Sequence, residues 1–211
     1  MNVHLDSWHG AWRDVGAAKG DEVLHGQLIA CWSEPHRHYH SMQHLSECLS
    51  QFEAVRSLAE QPGEVALALW FHDAFYDPHR GDNELRSAQW AHQSVLAAGV
   101  SVQVADRVHA LVMHTRHAAV PDEADAMLLV DVDLSILGAP AQRYDEFERQ
   151  VRAEYAHVPL EAFRERRSLI LQSFLDHSPL YHTAYFQTTR EAQARLNLSE
   201  AVKKLQPCAG G

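Results

Sequence analysis

Apolar residues recur at helical spacing along most of this 211-residue chain, and that spacing constrains the fold more than any other feature. Leu45, Leu49 and Phe52 illustrate it, since positions three and four apart lie on one face of an α-helix. No segment alternates apolar and polar residues as a half-buried β-strand does, and we find no internal repeat. The pattern therefore predicts an all-α protein.

The length of the chain fits a single domain with a substantial buried core. Within one domain spanning residues 1–211, the helical pattern predicts a core over about residues 25–137. Gly138 and Pro140 end the last helix of that core. Additional helices over about residues 140–205 are expected to pack on it.

The charge balance argues against one large class of partners. Lys and Arg total 18 and Asp and Glu total 28, which gives a net charge of −10, and no basic stretch offsets it. A nucleic-acid polymer is therefore not expected as the partner. No signal sequence or long apolar run is visible, and the three cysteines lack zinc-finger spacing. We expect a cytoplasmic protein that does not enter a membrane.

His72 and Asp73 stand side by side at the end of an apolar helical run that precedes Pro78. Pro78 disfavours the helical conformation at Asp77, so the helix is predicted to close around residues 74–77. Neighbouring side chains on a helix point about 100° apart, so the pair can converge only on something between them. Imidazole and carboxylate together are common ligands of divalent metals. A hydrogen-bonded core histidine is the alternative.

Two further polar residues lie inside otherwise apolar helices. His44 is in the first turn of one helix, and Asp131 stands between Val130 and Leu134 in another. An aspartate in such a run is costly to bury unless it is paired or bound to a cation. Either Asp131 or Asp133 can be the solvated member of that run, and the position of Asp131 favours it as the buried one. Two histidines and two aspartates in this order predict a metal site.

The chain resembles the HD superfamily of metal-dependent phosphohydrolases. Within it, the chain is similar to a bacterial family of predicted HD phosphohydrolases whose members are often mislabelled as a glutamate-receptor subunit. The matching blocks keep a fixed order, span roughly residues 25–205, and include the His-Asp pair. They are residues 36–45, 68–77, 82–88, 131–138, 151–155 and 180–184.

The resemblance implies a helical HD-domain bundle with additional C-terminal helices, and a site for one divalent metal ion. Zn, Mn, Fe, Co and Ni all remain candidates, and a second ion is left open. The ligands implied are His44, His72, Asp73 and Asp131. His40 competes with His44 for the first position; otherwise it is expected to contact the substrate.

The implied reaction is hydrolysis of a small phosphorylated substrate, a nucleotide or related phosphomonoester, by a metal-activated water. Asp77 is the first candidate for proton transfer and Glu84 the second. Stringent-response hydrolases of the superfamily have a Glu-Asp pair in this segment. This chain has Tyr76-Asp77 there, so it lacks the Glu of that pair. The residues expected to contact the substrate are Arg37, His40, Arg86 and His117.

Two other functions fit the same residues. His114 and His117 can share a helix face, which would suit the second metal of an HD-type di-iron oxygenase. A catalytically silent HD domain that senses a nucleotide is the third reading. The sequence also leaves open whether the chain forms a homo-oligomer.

Overall fold

The computed structural model describes residues 3–206, and the regular elements in that range are all helical. The all-α prediction is confirmed. The chain divides after Asp133 into two compact units. None of the described helices is both long and apolar enough to cross a membrane.

The first unit contains seven α-helices in its described part, with a 3₁₀ turn at Arg56–Leu58 between the third and the fourth. Their bounds are α1 Val3–Asp14, α2 Glu22–Trp32, α3 Met42–Val55, α4 Pro62–Phe71, α5 Asn83–Ala97, α6 Val102–His114 and α7 Ala124–Asp133.

Helix α4 lies at the centre of this unit. Residues 63–71 are all buried, and the helix packs against α1, α3, α5, α6 and α7. A helix that is apolar all round needs neighbours on every side. Its one charged residue, Glu64, accepts a 2.7 Å hydrogen bond from Nε of Arg107 in α6. The His72-Asp73 pair, which directly follows α4 in sequence, is therefore attached to the most buried helix of the unit.

Helix α1 is part of the same core, which therefore begins well before the predicted start near residue 25. Trp8 and Trp12 are both buried, and the ring of Trp8 lies 5.3 Å from those of Trp12 and Trp70, edge to face in each case. Such pairs add to the stabilisation that area burial gives. The two tryptophans mark this segment as core.

The second unit begins with a 3₁₀ turn at Leu134–Gly138 and continues with four α-helices in its described part. These helices are α8 Ala141–Glu154, α9 Leu160–Asp176, α10 Ala184–Thr189 and α11 Glu191–Leu205. Asn197 of α11 donates from Nδ2 to the carbonyl oxygens of Leu137 and Ala139, both at 2.8 Å. The amide thereby ties α11 to the first turn of the unit.

Candidate metal centre

The end of α4 places the His-Asp pair in a tight turn. The helix ends at Phe71, whereas the sequence predicted a few more helical residues. The carbonyl oxygens of Asp73 and Ala74 accept hydrogen bonds from Arg37, at 2.6 and 3.0 Å, in place of amides from a further helical turn. His72 is the C-cap of α4 and Asp73 is the next residue, so the buried helix fixes the position of both residues.

The ring of His72 is buried and its orientation is fixed. Nδ1 lies 2.8 Å from the carbonyl oxygen of Leu69. A carbonyl can only accept, so Nδ1 carries the proton, and Nε2 of the neutral ring presents a lone pair. The ring of Trp32 packs beside it, with centroids 5.3 Å apart. A histidine that binds a metal through one nitrogen typically donates the other N–H in this way.

His44 reaches the same point from the first turn of α3. Its Nε2 lies 3.1 Å from Nε2 of His72, and the ring of Tyr39 packs on it at 4.6 Å. A neutral His44 ring with its proton on Nε2 can donate across this gap, and a cation that binds both nitrogens would take the place of that proton.

Two carboxylates complete the cluster. Oδ1 of Asp133 lies 3.1 Å from Nε2 of His44 and 3.5 Å from Nε2 of His72. Oδ2 of Asp73 lies 3.2 Å from Nε2 of His72 and 3.8 Å from Nε2 of His44. Two nitrogens and two oxygens therefore converge on one small volume.

These separations fit a single divalent ion. Ligand atoms about 2.1 Å from an ion are about 3.0 Å apart at a right angle and about 3.4 Å apart at the tetrahedral angle. The five distances from the His44 and His72 nitrogens to each other and to the two carboxylates run from 3.1 to 3.8 Å. Imidazole with carboxylate suits several first-row metals, so the donor set leaves the metal undetermined. His44, Cys48, His72 and Asp133 offer ligand atoms that all lie within 4.8 Å of one another, and this group could hold a metal ion.

The charges in the cluster change the affinity of its groups for protons. Burial acts to lower the pKa of His72, but the charges of Asp73 and Asp133 and their hydrogen bonds outweigh burial and raise it well above its ordinary value. Burial acts to raise the pKa of Asp73, yet the nearby His72 and His40 lower it. The pKa of Asp133 is also lowered, because hydrogen bonds from the histidines outweigh burial. Both aspartates are therefore charged near neutral pH.

One side of the cluster meets solvent. The side chains of His44 and His72 are almost fully enclosed, whereas those of Asp73 and Asp133 are 15% and 12% exposed. His117, beside Asp133, is 30% exposed. A metal held here would keep a side open to water, as catalytic sites do and closed structural sites do not.

Comparisons with protein-family models, curated proteins and solved structures found no match to this chain. The resemblance to HD phosphohydrolases therefore stays a prediction from the sequence.

The second carboxylate of the cluster belongs to Asp133, whereas the sequence predicted Asp131 as the fourth ligand. Asp131 is completely buried in the same helix, α7. Residues two apart on a helix point about 200° apart, so the two side chains leave opposite sides of α7. His44, His72 and Asp73 lie close to one another, and on α7 it is Asp133 that contacts both histidines.

Cys48 lies against the cluster and was not singled out from the sequence. Its Sγ is 3.6 Å from Nδ1 of His44, one helical turn earlier on α3. Burial, followed by the charges of Asp133 and Asp73, raises the pKa of the thiol well above its ordinary value. The i, i+4 spacing of His44 and Cys48 is the signal that could have identified it.

Arg37 was predicted to contact the substrate, but its guanidinium is enclosed in the protein. Its side chain is 0% exposed, and its donors are directed at oxygens of the chain itself. Arg86 lies over the ring of Phe75, with Cζ 4.2 Å from the centroid. The prediction that Arg37 contacts the substrate is therefore wrong, and Arg86 remains the candidate for that contact.

The remaining predicted residues lie in the segments next to the His-Asp pair. The ring of His40 stacks on Tyr76 at 4.1 Å, and its charge lowers the pKa of Asp73. Asp77 accepts a 2.9 Å hydrogen bond from the N–H of His79 and closes the turn that leads to α5. Glu84 is in the first turn of α5.

Proposed function

We propose that this protein is a metal-dependent hydrolase of a small phosphorylated substrate, a nucleotide or a related phosphomonoester. The observation that supports it is the convergence of His44, His72, Asp73 and Asp133, with both carboxylates on the side that meets solvent. The resemblance of the sequence to HD phosphohydrolases favours a phosphate ester as the substrate. A site closed on all sides would instead favour a structural metal.

The histidines and the aspartates would bind the ion from opposite sides. His44 and His72, buried and fixed, would hold the ion from the protein side, and Asp73 and Asp133 would hold it from the side nearer the solvent. A divalent ion bound there supplies a water of lowered pKa and offsets charge on a phosphoryl oxygen. Because the exposed part of the cluster is formed by Asp73 and Asp133, a substrate would approach from the side of the carboxylates.

Proton transfer needs a group that is not itself a ligand. Asp77 is our first candidate, because it lies in the turn that follows the His-Asp pair, and Glu84 is the second. Arg86, on the segment that begins α5, is the arginine that we propose for the substrate phosphate. His40 and His117 are proposed to line the approach.

The test is an assay of phosphate release. The protein is stripped of metal, reloaded with Zn, Mn, Fe, Co or Ni in turn, and incubated without oxygen with a panel of phosphorylated metabolites. We expect phosphate release from at least one substrate with a reloaded metal, and none from the stripped protein or from His72→Ala. Absence of metal binding in the parent protein would overturn the proposal.

A second candidate, an HD-type di-iron oxygenase, is favoured by one observation. Oδ2 of Asp133 lies 3.2 Å from Nε2 of His117, while Oδ1 faces His44. A carboxylate shared in this way can bridge two ions. Two irons per chain, with turnover that requires oxygen, would identify the oxygenase.

A further inference from the structure

Arg37 is a charged residue enclosed beside the candidate metal centre. Its guanidinium carbon lies 5.6 Å from the ring of Trp32 and 5.5 Å from that of Tyr76. Its Nε donates at 2.9 Å to a carboxylate oxygen of Glu34. Glu34 is the negative partner that makes burial of the arginine tolerable.

The other donors of Arg37 reach three backbone carbonyls in two segments. Nη1 donates to the carbonyl oxygens of Asp73 at 2.6 Å and His40 at 3.2 Å, and Nη2 donates to that of Ala74 at 3.0 Å. The guanidinium therefore joins the segment before α3 to the turn after α4. One of these carbonyls belongs to Asp73, whose side chain is part of the metal cluster.

Only an arginine has the donors for this arrangement. Its planar guanidinium presents five N–H groups in a fixed fork, whereas a lysine presents three donors from a single nitrogen. A lysine at position 37 could reach some of the four oxygens but not all of them in these directions. A neutral apolar side chain would leave the buried carbonyls without their partner.

We propose that Arg37 is a positioning residue of the metal site, and this inference rests on the metal binding proposed above. It fixes the backbone of Asp73, and so the Oδ2 atom that lies 3.2 Å from Nε2 of His72. Without the guanidinium the turn relaxes and the carboxylate leaves the position in which it completes the ligand set. Arg37 touches neither the metal nor the substrate.

The experiment compares Arg37→Met, Arg37→Lys and a control, Arg107→Met. Arg107 is suited to this, because it also pairs with a carboxylate, that of Glu64, in the same unit and away from the cluster. Each purified protein is titrated with Co²⁺ at a temperature well below its unfolding transition. Affinity is measured together with the visible absorption spectrum, which reports the geometry of the bound ion.

We expect Arg37→Met to lose roughly 10- to 100-fold in Co²⁺ affinity, the range seen when partners that orient metal ligands are removed. Its Co²⁺ spectrum should change, Arg37→Lys should lie between Met and the parent, and Arg107→Met should match the parent. If Arg37→Met does not fold, the lysine variant alone decides by the same spectrum. Parent-like affinity and spectrum in the Arg37 variants would overturn the inference and leave the metal site intact. A parent that binds no Co²⁺ would overturn the proposed function and the inference with it.

Discussion

Nε2 of His117 lies 3.2 Å from Oδ2 of Asp133, the carboxylate whose other oxygen faces His44. The backbone of His117 has φ +51°, a left-handed conformation that residues other than glycine rarely adopt. Such conformations persist where the surrounding structure holds them, often at functional sites. The contact can orient a ligand of one ion, or it can contribute to a second site.

Substitution of His117 by Ala distinguishes these roles. In the proposed hydrolase, His117→Ala removes a donor to Asp133 but no ligand, so about one metal per chain remains at saturation. Affinity should fall by roughly 10- to 100-fold. Elemental analysis of metal-saturated protein measures the stoichiometry. A drop from two irons to one in His117→Ala would support the di-iron alternative.

A second prediction concerns the two aspartates of α7. Asp133→Asn should lose metal binding, since the Asp133 carboxylate contacts both histidines. Asp131→Asn is the matched control, because the same change is made two residues earlier in the same helix. It should keep about one metal per chain. Metal lost from Asp131→Asn and retained in Asp133→Asn would restore the assignment made from the sequence.

The sequence predicted the fold class because helical periodicity is a local signal. Leu45, Leu49 and Phe52 are buried on one face of α3, as their spacing indicated. The position of α1 could not be predicted in that way, since Trp8 is buried by Trp70, which is far away in sequence. The early end of α4 is likewise set by Arg37, a residue before α3. Contacts between residues distant in sequence set the burial of α1 and the end of α4, and periodicity does not report such contacts.

The same distinction holds for the site. His44, His72 and Asp73 could be named because each is a polar residue in an apolar helical context. Asp131 and Asp133 share that context, so the sequence could not tell which of them reaches the cluster. That depends on the direction in which each side chain leaves α7. Arg37 carries no signal of burial in the sequence, because its partners are mainly backbone carbonyls.

A third prediction concerns proton transfer. Asp77→Asn removes the titratable carboxylate but keeps an oxygen that can accept the hydrogen bond from His79. The turn should therefore survive and metal content should stay unchanged. The rate of phosphate release should fall by roughly 10² or more, the scale of general acid–base catalysis. Unchanged turnover would clear Asp77, and Glu84→Gln would be measured next.

The last prediction is that bound metal reduces the loss of stability that the metal-free protein shows as pH rises. The pKa of folded His72 is raised well above its ordinary value of 6.5, because the charges and hydrogen bonds of Asp73 and Asp133 outweigh burial. Well below pH 6.5, folded and unfolded chains both hold this proton, and the stabilisation is fully present. As pH rises further the unfolded chain loses the proton first, so stability falls until folded His72 also titrates. The lowered pKa values of Asp73 and Asp133 affect stability only in acid.

A bound metal should flatten this slope, because the ion would displace the His72 proton and bind more tightly as pH rises. The melting temperature is measured from about pH 6 to pH 9, with and without a fixed, sub-saturating concentration of Zn²⁺. It should fall with pH in the stripped protein and fall less steeply with metal. His72→Gln lacks the titrating group, and its slope should be flatter without metal and unaffected by Zn²⁺. Parallel slopes for the parent with and without Zn²⁺ would show that no metal competes with the proton on His72.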